Sequence, residues 1–115
     1  MKNDALYLDD ILQSIDTIGA HIQGVTEDTF STKVTVYDAV IRRLAIVGEA
    51  VSRLSATCKD EHPEIPWRDI KDMRNYLIHE YEGVKLDKVW EVVTKQLPDL
   101  RRVVETMLKE IDAKQ

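Results

Sequence analysis

The stretch from about Lys33 to Thr57 constrains this chain more than any other. Val36, Val40, Leu44, Val47, Val51 and Leu54 recur in it at three- and four-residue steps, with Tyr37, Ile41 and Ala45 widening the stripe. Such spacing turns one face of a long α-helix toward a core and matches no strand alternation. Proline is absent from the segment, and one glycine, Gly48, stands in its middle. A mid-helix glycine costs about 1 kcal/mol relative to alanine. Gly48 is therefore expected to permit a close helix contact or approach to a site.

A helix of that length needs apolar partners on both sides, and the remaining segments supply them. Leu8, Ile11, Leu12, Ile15, Ile18 and Ile22 place a first helix at about Asp4 to Gln23, with Asn3 or Asp4 as candidate caps and Gly24 as its stop. "TEDTFSTK" reads as a turn whose Ser31 or Thr32 caps the long helix. "CKDEHPEIPW" breaks the pattern, and Pro66 suits the first position of a third helix, where a missing N–H does no harm. That helix runs from about Trp67 to Ile78 or His79, burying Trp67, Ile70, Met73 and Leu77, and Gly83 follows its end. Asp87 is a candidate cap for the last segment, which Pro98 kinks or divides into helices at about 86–96 and 98–112. Short connections make neighbours antiparallel. The expected fold is all-α, an up-down four- or five-helix bundle forming one domain over residues 1–115.

The formal net charge is −5, whereas a general nucleic-acid coat needs a basic surface. Contact with RNA would require a locally positive cleft. No apolar run approaches the roughly 18–20 residues that span a bilayer. "MKNDALYLDD" lacks the apolar stretch of a signal peptide, so a cytoplasmic location is expected, with no membrane partner. Cys58, the single cysteine, suits a reducing compartment and reads as a structural thiol. His21 and His62 have no partners at metal-ligand spacing, so no metal site is expected. Trp67 and Trp90 read as core or interface aromatics, and Arg101 and Arg102 as solvated or paired with acids.

Chemistry concentrates in "RNYLIHEY", Arg74 to Tyr81. Asn75 and His79, at i and i+4, share a helix stripe, so Asn75 can hydrogen-bond His79 and hold one imidazole tautomer. Arg74 lies about 140° round the helix from His79 and reaches the same region only through its length. Histidine moves protons near neutral pH, and arginine offers a fork of donors to phosphate oxygens. Arg68 and Lys71 lie upstream as a narrow phosphate track, with Asp69 and Asp72 interleaved. Glu49, a carboxylate on a mainly apolar helix, needs a cation, and Arg74 or Arg42 is in reach. On spacing alone a polar helix end explains these groups at least as well as a catalytic site.

Three elements in order carry more weight: "GEA" at Gly48–Ala50, "IPW" at Ile65–Trp67, and "RNYLIHEY". With them the chain from about Thr35 onward resembles the HepT-like family of HEPN domains, whose motif is arginine, four residues, histidine, any residue, tyrosine. The resemblance implies an all-α homodimer with its Arg–His motifs at a cleft between subunits. It implies a ribonuclease toxin that cleaves RNA without a metal cofactor. The partner implied is an MntA-like minimal nucleotidyltransferase antitoxin, which silences the toxin by transferring AMP from ATP to the motif tyrosine. Carried across, Arg74 and His79 are the catalytic pair and Tyr81 the adenylylated residue; Asn75 and Glu49 shape the site. Glu82 and Gly83 follow Tyr81 where many relatives carry a large apolar residue. The alternative is a non-catalytic subunit that docks the nucleotidyltransferase and presents Tyr81 or a nucleotide to it.

Overall fold

The computed structural model describes residues 4–80 and 83–114. Every regular element among them is helical: α1 (Asp4–Ile22), α2 (Glu27–Phe30), α3 (Val34–Arg53), α4 (Ala56–Asp60), α5 (Trp67–His79), α6 (Leu86–Glu91) and α7 (Leu97–Ala113). A π-helical turn, Val92–Gln96, joins α6 to α7. The long striped segment is the centre of the bundle: α3 packs on α1 and α5, while α1 also packs on α7. Val40, Leu44, Val47, Val51 and Leu54 join one buried cluster with Leu8, Ile11, Ile15 and Ile18 of α1 and Val103, Val104 and Met107 of α7. Phe30 of the short α2 is buried against Trp90, ring centroids 5.1 Å apart, which closes the end of the bundle near α6. No helix among the described residues is long and apolar enough to cross a membrane.

Side-chain hydrogen bonds set the boundaries that periodicity left open. The long helix ends at Arg53 rather than Thr57, because Leu54 turns extended and Ser55 caps a separate α4 by accepting from the Cys58 N–H at 3.1 Å. The Ser55 hydroxyl and N–H both donate to the buried carboxylate of Asp4, at 2.7 and 2.9 Å. Asp4 thus ties α1 to α4, and the other cap considered, Asn3, lies outside the described residues. Ser31 and Thr32 close α2 instead of opening α3: their hydroxyls donate to the carbonyls of Asp28 and Thr29, each at 2.9 Å. Lys85, not Asp87, stands at the start of α6, its N–H donated to the Tyr76 hydroxyl at 2.9 Å. The last segment is interrupted by the π-helical turn, and Pro98 sits harmlessly in the first turn of α7.

Two features position α5. Trp67 donates its indole N–H to the carbonyls of Lys59 and His62, at 3.1 and 3.0 Å, fixing the helix start. At the crossing with α3, a Cβ on Gly48 would collide with Cβ of Arg74 and stand 2.9 Å from its Cγ and 3.3 Å from the Ile70 carbonyl oxygen. These are the root of a side chain and a backbone atom, neither of which can swing aside. Gly48→Ala is expected to cost about 1–3 kcal/mol, the usual range for overpacking, measurable by urea unfolding. An unchanged midpoint would mean that the two helices are free to separate.

His62 bridges the α4–α5 connection to α7, with Nδ1 3.2 Å from Glu64 and Nε2 2.8 Å from Glu110. Burial pulls its pKa down, but the hydrogen bonds to Glu110 and Glu64 outweigh it and the net shift is upward. A raised folded-state pKa adds stability that is complete below the unfolded value near 6.5 and is lost as pH rises through the folded value. The melting-temperature advantage of the wild type over His62→Gln should therefore be larger at pH 5.5 than at pH 8.5, by roughly a few degrees. Equal advantages at both pH values would show that the imidazolium contributes nothing.

Candidate active site

Arg74 sits one turn beyond Ile70 on the face of α5 that meets α3, so the space left by Gly48 accommodates the root of its side chain. Only 26% of that side chain is exposed. Its Nη1 donates to Asn75 Oδ1 at 2.7 Å, and its Nη2 donates to Glu49 Oε2 in an ion pair. Nε is buried and has no hydrogen-bond partner among the described residues. An arginine carries five N–H bonds, so this clamp leaves one on each Nη able to meet an anion.

Of the two partners expected for Glu49, the structure selects Arg74. Glu49 also engages a cation that the sequence reading missed: its Oε1 accepts from Arg53 Nε and pairs with Arg53 Nη2, both at 3.1 Å. The i,i+4 spacing of Glu49 and Arg53 within one helix was the available signal. The hydrogen bond from Arg74 holds the Glu49 carboxyl below the usual carboxylate range, against the opposing effect of burial. Tyr7 of α1 and Glu49 both shift the pKa of the Arg53 guanidinium upward. Polar groups from α3 and α5 thus form one chain: Arg53, Glu49, Arg74 and Asn75.

His79 is the last residue of α5 and is exposed. No hydrogen bond among the described residues joins it to Asn75, whose oxygen turns instead to Arg74. Arg68 and Lys71 are exposed on the outer surface of α5, with Asp69 and Asp72 exposed between and beside them. Tyr81 and Glu82 lie outside the described residues. A cavity of about 300 Å³ opens beside the α3–α5 crossing, lined by Leu44, Val47, Ile70 and Met73, but neither Arg74 nor His79 lines it. Among the described residues no three His, Cys, Asp or Glu side chains gather as a metal site. Cys58 is buried, and burial, with nearby Asp4 and Glu61, pushes its thiol up to about 11, which keeps it unreactive.

The sequence profile of the family described as "Ribonuclease HepT-like" matches residues 11–107. A protein of Methanocaldococcus jannaschii named "gamma-glutamylcyclotransferase and putative RNase" is 40% identical over 111 residues, which is 96% of this chain and 50% of that protein. A "putative RNase" of Caldanaerobacter subterraneus subsp. tengcongensis is 35% identical over 95% of this chain and 97% of its own length. A "probable ribonuclease HepT" of Thermococcus cleftensis is 37% identical over 90% and 94%. The chain therefore spans half of the first relative and nearly all of the other two. No solved structure matches it. The profile match, the similarity along almost the whole chain and the all-helical bundle together make this protein a member of the HepT-like ribonuclease family.

Proposed function

We propose that this chain is the ribonuclease toxin of a toxin–antitoxin pair, acting in the cytoplasm as a homodimer that cleaves RNA without a metal cofactor. The observation that carries the reading is the Arg74 guanidinium, held at the α3–α5 crossing by Glu49 and Asn75 with an N–H on each Nη still to spare. Such a group meets the non-bridging oxygens of a phosphodiester and neutralises charge that builds on the phosphorane. His79, exposed at the end of α5, handles the protons. As the RNA 2′-oxygen attacks phosphorus, its proton leaves to a base; the bond to the 5′-oxygen breaks, and that oxygen takes up a proton. Arg68 and Lys71 extend the path for neighbouring phosphates. Two-fold pairing would bring a second arginine and a second histidine to the same cleft.

In the same reading, an MntA-like nucleotidyltransferase transfers AMP from ATP to the hydroxyl of Tyr81. The added phosphate sets a negative charge near Arg74, and the adenosine obstructs the RNA. A second reading, a non-catalytic subunit that docks the transferase and presents Tyr81 or a nucleotide, is favoured by one observation. Arg74 is already engaged by a carboxylate, and His79 stands apart from it.

Expression without the transferase should arrest growth, and Arg74→Ala or His79→Ala should relieve the arrest and slow RNA cleavage by about 10²–10⁴-fold, with unfolding midpoints near wild type. Toxicity that survives both substitutions rules out the catalytic assignment, whereas unmodified protein that cleaves no RNA yet binds the transferase stably would favour the docking subunit. Co-expression with the transferase and ATP should add the mass of AMP to the peptide containing Tyr81, and Tyr81→Phe should abolish the gain. An unmodified peptide from the active pair would remove the adenylylation step.

A further inference from the structure

Arg74 cannot offer its full donor set to a phosphate while Glu49 holds Nη2, so the ease with which Glu49 lets go governs the site. Glu49 is not held by Arg74 alone. Its second oxygen lies on Arg53 from the same helix. Arg74 is the most enclosed of the three, with 26% of its side chain exposed against 40% for Glu49 and 57% for Arg53. Attraction to Glu49 is therefore least screened on the Arg74 side. The free Nη hydrogens permit an incoming phosphate to start binding before the carboxylate leaves. Exchange then needs no charge to stand alone: phosphate takes over Arg74 while Glu49 keeps Arg53.

We propose that Arg53 is a positioning residue for Arg74: by sharing the Glu49 carboxylate it lets a phosphate displace Glu49 from the Arg74 guanidinium. The proposal rests on Arg74 being the phosphate-binding group of the reading above, but not on RNA being cleaved. With Arg53 neutral, the whole carboxylate charge falls on Arg74 and phosphate binds less readily. With Glu49 neutral, Arg74 is released and Arg53 ceases to matter. A side chain that merely touched the anion, or merely braced the fold, would not show that dependence of one substitution on the other.

The test uses the full chain labelled with ¹⁵N-arginine, titrated with inorganic phosphate while the Arg74 Nε–H signal is followed. The burial of Nε shields that proton from solvent exchange and makes it a usable reporter. Arg53→Gln should weaken phosphate binding roughly twofold, the scale of an exposed i,i+4 ion pair, and Arg53→Lys should restore it. Glu49→Gln should tighten binding by about tenfold, the scale of one charge-assisted hydrogen bond, and adding Arg53→Gln to that variant should change nothing further. Equal losses from Arg53→Gln with and without Glu49→Gln would make Arg53 a direct anion contact and overturn the proposal. So would an Arg74 signal that phosphate never moves, or a Glu49→Gln variant that binds no tighter. RNA cleavage by the same samples is scored separately: phosphate exchange with no cleavage defeats the nuclease reading and leaves this one standing.

Discussion

The close crossing of α3 and α5 at Gly48 is the contact on which the candidate site depends. Two helices approach until a single Cβ would collide with the side chain across the gap. The glycine weakens α3 by about 1 kcal/mol relative to alanine. In return the root of Arg74 is fixed against the backbone of a buried helix rather than left on a flexible surface. Glu49, the next residue along α3, is then in place to meet the guanidinium. Backbone proximity comes first here and the ion pair second, because a long arginine stem on a loosely packed α5 would lose that geometry to side-chain entropy.

Charge in this acidic chain follows the same economy. Arg101 reaches across from α7 to Asp16 of α1 at 2.7 Å and also holds Glu105 at 2.6 Å, while Arg102 pairs with Asp99 at 3.2 Å. These pairs lie at the surface, where solvent screening leaves each only a small contribution to stability. Their larger effect is to cancel positive potential over α7. Arg74 differs in being enclosed and in having a buried Nε with no hydrogen-bond partner among the described residues. An unsatisfied buried donor of that kind costs about 1–3 kcal/mol. A fold seeking stability alone would gain from an apolar residue at that position, which makes the cation a feature that stability does not account for.

Much of this was legible in the chain, and the rest was hidden for identifiable reasons. The stripes of α1 and α3 were clear because burial on a bundle face enforces a 3.6-residue period. Gly48 announced a close approach, though not which residue it would meet, since periodicity carries no register between helices. The ends were misread wherever one hydroxyl had two possible tasks. Ser31 and Thr32 could open α3 or close α2, and only the three-dimensional course of the chain decides. The π-helical turn at Val92–Gln96 was invisible for a related reason, since the proline nearby was the louder signal. In the site, Glu49 was recognised as needing a cation, but only Arg74 and Arg42 were expected as partners, and Arg53, four residues on in the same helix, was not. The expected bond from Asn75 to His79 assumed that an asparagine serves the residue one turn ahead, whereas Arg74, its neighbour in sequence, curls back to take that oxygen.

Arg74 and His79 leave α5 about 140° apart, so no rotation of that helix turns both squarely onto one phosphodiester. A protomer acting alone would grip phosphate on one face and offer its proton-transfer group on another. The proposed pairing would resolve this by letting the arginine of one copy serve the histidine of the other. It also explains how a single phosphate on Tyr81 could silence the site without unfolding anything. In the proposed function, RNA and the AMP phosphate would compete with Glu49 for one guanidinium. Glu49 is permanent but shared with Arg53, RNA is free but multivalent, and a tethered AMP would be local at high effective concentration. On the proposed reading, tethering would give the modification its advantage over substrate, and sharing the carboxylate would give substrate its advantage over the resting protein.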